Sequence, residues 1–225
     1  MERRDLAFHA TERWGETSAV WLRPPDADAA IVLGHGAGAG MRHAFMEAAA
    51  TRLADLGVAT LRYQFPYMER GSRYPDAQSV LLETVGTAIA LADELAGPMP
   101  LFAAGKSMGG RMTSIAAAET PFPGLRGLVF FGFPLHAPGR ASGKRADHLD
   151  RVPIPMLFLQ GTRDRLADLE HLRPVCERLG DRATLHVIED GDHSFHVLKR
   201  TGRTDEEVLD ELAGTAADWM RAAGG

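Results

Sequence analysis

The sequence predicts an α/β fold, a mostly parallel sheet with helices on both faces, and three observations carry that reading. Short, unbroken apolar runs such as Ala30-Ile31-Val32-Leu33 recur along the chain, as expected of strands buried on both faces. They alternate with longer amphipathic stretches, the pattern of strand-helix units in a parallel sheet. The 225 residues are enough for one such domain with a substantial core and too few for two large ones, so residues 1–225 are read as a single domain.

Taken in order, Leu6 to Thr11 and Ala19 to Arg23 are expected as opening strands around a polar turn at Gly15. Ala30 to Leu33 is the first buried strand. His43 to Leu56 follows as a helix, closed by Gly57 where a left-handed cap is wanted. Val58 to Tyr63 is the next strand, and Asp76 to Ala96 a long helix stopped by Gly97-Pro98. Pro100 to Ala104 returns to strand, and Met108 to Glu119 to a helix that Pro121 terminates. Gly127 to Phe133 and Pro155 to Gln160 are two further strands, with only a loop or short helix between them. Leu166 to Leu179 (helix), Ala183 to Glu189 (strand) and Thr204 to Ala223 (helix) complete the chain. There is no internal repeat and no room for a separate cap domain.

Composition removes several classes of function. A formal charge of −5, with arginines interspersed among acids, gives no electrostatic footprint for nucleic acid. The single cysteine, Cys176, cannot form an intramolecular disulfide and is expected as a small buried helix residue. No apolar run is long enough to span a bilayer and no apolar leader opens the chain, so a cytoplasmic protein is expected. No metal-ligand spacing is present, and neither a metal nor another cofactor is expected.

The chemistry gathers where strands end. Gly105-Lys106-Ser107-Met108-Gly109 lies between an apolar run and a helical pattern. A nucleophile on so sharp a strand-to-helix turn leaves no space for β-carbons two residues to either side, and glycine meets that demand. Serine is a weak nucleophile without a base to take its proton. His193, in Gly191-Asp192-His193 just after the last strand, is the favoured base, with His196 as runner-up. Asp164, directly after the strand ending at Gln160, is the favoured acid to orient the imidazole; Asp168 is the fallback, and Asp192 reads as a turn residue. Loops at the carboxyl ends of parallel strands converge on one crevice, which brings together residues distant in sequence. The oxyanion hole is assigned to the Met108 N–H and, in the loop Gly34-His35-Gly36-Ala37-Gly38-Ala39-Gly40, to the Ala37 N–H, with Gly36 and Gly38 as alternatives. That loop lacks the Gly-Lys-Ser/Thr ending of a phosphate loop. His35 is read as bracing it.

At these positions the chain resembles the α/β-hydrolase superfamily, and most of all the small, capless, dienelactone-hydrolase-like bacterial members. The resemblance runs over nearly the whole chain through Gly34-His35-Gly36, Gly105 to Gly110, Gly161-Thr162-Arg163-Asp164 and Gly191-Asp192-His193, in the superfamily's order of Ser, Asp, His. It implies an eight-stranded, mostly parallel sheet and ester, thioester or related acyl chemistry. Dienelactone hydrolases proper carry a cysteine nucleophile where this chain has Ser107, so the resemblance does not bring the dienelactone substrate with it.

The expected function is a serine hydrolase acting on a small ester or thioester through an acyl-enzyme. A catalytically silent scaffold on the same fold and an acyltransferase using the same triad are the alternatives. Arg62 and Phe65 in one loop, His136 in another, and Gly36 are expected to shape the substrate pocket. Arg62, Arg73, Arg111 and Lys106, with Arg140, Lys144 and Arg145 nearby, are candidates for a cationic lining suited to a carboxylate.

Overall fold

The computed structural model describes residues 1–137 and 142–224; Arg140 lies outside the described residues. Eight strands form one sheet in the order β1-β2-β4-β3-β5-β6-β7-β8. They are β1 (Glu2–Thr11), β2 (Gly15–Arg23), β3 (Ala29–Gly34), β4 (Val58–Tyr63), β5 (Leu101–Lys106), β6 (Leu125–Phe131), β7 (Met156–Gly161) and β8 (Ala183–Ile188). β2 pairs antiparallel with both β1 and β4, and every pairing from β4 onward is parallel. The helices are α1 (Ala44–Asp55), α2 (Pro66–Glu69), α3 (Gln78–Ala96), α4 (Met108–Glu119), α5 (Leu169–Leu179) and α6 (Asp205–Gly224).

The fully buried runs of β3, β4 and β7 divide their side chains between two cores. On one face Val85, Ala88 and Ile89 of α3, Met112 and Ile115 of α4, and Leu172 and Val175 of α5 pack with Val32, Ala103 and Phe130. On the other, Met46 and Leu53 of α1 and Val208, Leu212 and Met220 of α6 pack with Ile31, Phe102 and Leu157. The alternation of residues along one strand between these clusters is the period-two signature of a sheet covered on both sides.

Several boundaries differ from expectation for identifiable reasons. β1 starts at Glu2, ahead of the expected Leu6, because its first four residues pair with β2 while remaining exposed and so show no burial pattern. β6 ends at Phe131, before the expected Phe133, because Gly132 takes a φ of 72° that breaks the strand. α5 begins at Leu169: the Leu166 N–H is taken by Asp164 Oδ1 at 2.8 Å, which holds this stretch as a turn. Segment 132–155 contains one described element, a 3₁₀ helix at Lys144–Arg151 that buries only Ala146 and Leu149. Among the described residues no cap domain covers the carboxyl edge of the sheet.

Two features of the topology position the site. β3 lies between β4 and β5, so the chain order reverses there and a crevice opens above its carboxyl end. Register then aligns the loops: Gly34 sits opposite Gly105, and Gly161 opposite Ile188, so four connections leave the sheet at one edge.

Candidate active site

Ser107 sits between β5 and α4 with φ 51° and ψ −113°, one of only three described non-glycine residues at positive φ. A side chain held in so sparsely populated a region requires its surroundings to fix it. They do so by packing. A β-carbon at Gly105 would overlap the backbone of Gly109 and Gly110, and one at Gly109 would overlap the Gly34 carbonyl. The turn is closed against both its own helix and the neighbouring β3 loop. As a result the Ser107 side chain projects at the N-terminus of α4, where the helix dipole favours negative charge.

His193 Nε2 lies 2.8 Å from Ser107 Oγ, and His193 Nδ1 lies 2.7 Å from Asp164 Oδ2. The Asp164 carboxylate is fully buried, while the imidazole keeps about a quarter of its surface exposed, 24%. Asp164 is fixed on both oxygens: Oδ1 accepts the Leu166 N–H, and Oδ2 also accepts from the Gln160 side-chain amide. The other end of that amide accepts the Phe133 N–H at 3.1 Å, so Gln160 ties the β6 loop to Asp164. His196, the alternative base, is exposed and bonds Asp205 at 2.8 Å instead. Asp168 lies 3.6 Å from His136, away from His193, and Asp192 caps its own turn by accepting the Ser194 and His196 N–H groups.

The β3 loop is braced from beneath. His35 Nδ1 bonds the Gly36 carbonyl at 2.8 Å, and its Nε2 accepts the Phe65 N–H at 3.1 Å. A carbonyl on one nitrogen and an N–H on the other admit a single neutral tautomer. Burial, in which the ring is wholly enclosed, pushes its pKa down to about 4. Within the loop, Tyr67 Oη accepts the Gly38 N–H at 3.0 Å and the Gly36 carbonyl accepts the Ala39 N–H at 3.2 Å. Among the described residues the Ala37 N–H has no such acceptor, and neither does that of Met108, in the first turn of α4. Gly38, weighed as an alternative donor, is thereby occupied.

A cleft of about 390 Å³ opens over Ser107 and His193. It is walled by Gly36, Ala37 and Ala39 of the β3 loop, Phe45 and Met46 of α1, and Leu166, with Lys106 at its base. Gly36 therefore stands where the sequence places it. Three other expected pocket residues do not line the cleft. Arg62 is buried beneath α1, bonding the Met41 carbonyl at 3.2 Å and facing Glu47 at 3.3 Å. Phe65 is fully enclosed among His35, Tyr63 and Tyr67. His136 is buried with its Nδ1 on the Ala137 carbonyl. Among the described residues of the cationic lining expected, Lys106 alone reaches the cleft; Arg111 lies near His148 and Arg145, and Arg73 is exposed on a loop. Gln160, Tyr67 and the bonded role of Lys106 escape sequence reading, since each depends on a partner in a different connection.

Lys106 packs its ammonium over the rings of Phe45 and Phe195, at 5.7 and 5.2 Å, and donates to the His193 main-chain carbonyl. Desolvation lowers its pKa to about 8, against the opposing pull of Asp164 and Asp192.

A reversing parallel sheet with a strained serine turn and an aspartate-oriented histidine at its carboxyl edge defines the α/β-hydrolase architecture. The model of the alpha/beta hydrolase domain family matches residues 27–221, and the chain belongs to that family. Among solved structures it is similar to a lidless α/β serine hydrolase from Xanthomonas campestris, with 21% identity over 97% of this chain and 95% of that one and a TM-score of 0.75. It is similar also to a dienelactone hydrolase from Anabaena variabilis, with 19% identity, full coverage of both chains and a TM-score of 0.76. A third likeness is to the esterase domain of a Rhodothermus marinus protein, 14% identical over the whole of both chains, with a TM-score of 0.75.

Proposed function

We propose that the protein is a serine hydrolase that cleaves small esters or thioesters through an acyl-enzyme on Ser107. The observation that carries this reading is the continuous hydrogen-bonded line Asp164–His193–Ser107, with spacings of 2.7 and 2.8 Å. His193 Nε2 accepts the Ser107 proton as Oγ attacks the carbonyl carbon, and Asp164 stabilises the imidazolium that forms. The Ala37 and Met108 N–H groups receive the developing oxyanion, a contribution on the order of 10²–10³ in rate per donor. His193 then gives its proton to the leaving oxygen or sulfur. In the second half-reaction it deprotonates water, which releases the acid and restores Ser107.

The walls of the cleft favour an uncharged, compact acyl group. Phe45, Met46, Ala39 and Leu166 offer apolar surface, and Lys106, the one Lys or Arg among the described lining residues, is already committed to a carbonyl. Arg62, Phe65 and His136 are assigned to holding the loops rather than contacting substrate.

The test is Ser107→Ala. Turnover of a short p-nitrophenyl ester is expected to fall to background, and labelling by a fluorophosphonate to disappear. Labelling retained at another residue overturns the assignment.

A further inference from the structure

We propose that Lys106 is a positioning residue for this reaction, its ammonium clamping the loop that carries His193 onto the nucleophile turn. The inference rests on the reading of Ser107 and His193 as nucleophile and base.

Four observations support it. Lys106 is the residue immediately before Ser107, so its backbone belongs to the turn that aims the nucleophile. Its side chain crosses to β8's connection and donates to the carbonyl of His193 itself. The Phe45 and Phe195 rings, stacked on each other at 5.9 Å, present their faces to the same ammonium. Phe45 comes from the first turn of α1 and Phe195 from the histidine loop, so one cation draws three chain segments together. Gly132 adds a further observation: a β-carbon there would stand 3.1 Å from Lys106 Nζ and 3.5 Å from the His193 ring. The β6 turn thus leaves space for both groups side by side.

The histidine loop needs such a clamp. Asp190 and Phe195 hold it in left-handed conformations at φ 56° and 65°, the second unfavourable for a bulky side chain. His193 must keep Nε2 at hydrogen-bond distance from Ser107, and displacement of a catalytic group by about 1 Å costs on the order of a hundredfold in rate. A charged donor on the His193 carbonyl roughly doubles the strength of a neutral one.

The clamp is also sensitive to pH. The groups facing the ammonium are Asp164 from the β7 connection and Asp192 and His193 from the β8 connection, and His43 lines the same cleft at the start of α1. The two carboxylates favour the charged form and burial opposes it. With the pKa lowered to about 8, the ammonium loses its proton as pH rises through that value. Its cation–π attraction and its charge-assisted bond weaken together.

The experiment compares wild type, Lys106→Met and Lys106→Arg in p-nitrophenyl ester hydrolysis from pH 6 to 10, with Ser107→Ala as reference. Wild-type kcat is expected to decline above about pH 8. Lys106→Met is expected to lose between about tenfold and a hundredfold in kcat at pH 7, with KM within about twofold and no alkaline decline. Lys106→Arg, which keeps a permanent charge, is expected to recover part of kcat and to move the decline beyond pH 9. Unchanged kcat in Lys106→Met overturns the proposal. So does an unmoved alkaline limb in Lys106→Arg, a readout that survives should the methionine variant fold poorly. Residual turnover by Ser107→Ala would instead overturn the underlying reading of the site.

Discussion

Asp164 receives hydrogen bonds on both oxygens, from Leu166 and from Gln160 and His193, so its plane is fixed before any substrate arrives. That is the arrangement needed to hold one tautomer of the imidazole. Asp164→Asn keeps the shape but removes the charge that, on the proposed mechanism, stabilises the imidazolium. It is expected to lower kcat by roughly 10²–10⁴ with little change in KM, in the same ester assay. An unchanged kcat would show that the carboxylate does not orient His193. At this scale the sequence was legible where local chain geometry determines a side chain's place. Ser107, Asp164 and His193 each follow a strand by a few residues, and register brings strand ends together. Arg62, Phe65 and His136 miss the cleft because Arg62 lies within β4 beneath α1, and Phe65 and His136 turn inward from the connections that carry them. Lys106, Gln160 and Tyr67 find their partners 87, 4 and 29 residues away, and the two distant partners leave no spacing signal.

Among the elements, the passage from β5 into α4 is the most constrained. Replacing Gly105 with alanine sets a β-carbon into the backbone of Gly109 and Gly110, neither of which can give way without moving the helix. Gly105→Ala is expected to destabilise the fold by about 3 kcal/mol or more, visible as a lowered urea midpoint. A wild-type midpoint would mean the turn can relax in a way the packing does not suggest. The same tightness explains why this helix was legible to the residue: Met108 to Glu119 begins at the forced turn and ends where Thr120, preceding Pro121, must be extended. Elements with weak burial were not. The exposed start of β1, the single turn of α2 and the 3₁₀ helix at Lys144–Arg151 bury too few side chains to impose a period.

For the molecule as a whole, the buried neutral His35 couples folding to pH. Its folded pKa, about 4, lies below the 6.5 of an ordinary imidazole, so the unfolded chain binds more protons between these values. Stability therefore falls as pH is lowered through that window. The His35 contribution is about 2 kcal/mol lost between pH 7 and pH 5, read as a drop in unfolding free energy from urea titrations at the two values. His148, half-buried and also lowered to about 4, acts in the same direction. Equal stability at pH 7 and pH 5 would contradict the enclosed, uncharged state of His35.

The short connection between β6 and β7 has a consequence for the fate of the acyl group proposed on Ser107. Among the described residues no domain roofs the cleft, so an acyl group on Ser107 would face solvent throughout the second half-reaction. On the proposed mechanism, an open cleft leaves abundance to weigh heavily in the choice of acceptor. Water, the most abundant nucleophile at that edge, is then the expected acceptor, and an added alcohol or amine is expected to capture the acyl group in proportion to its concentration.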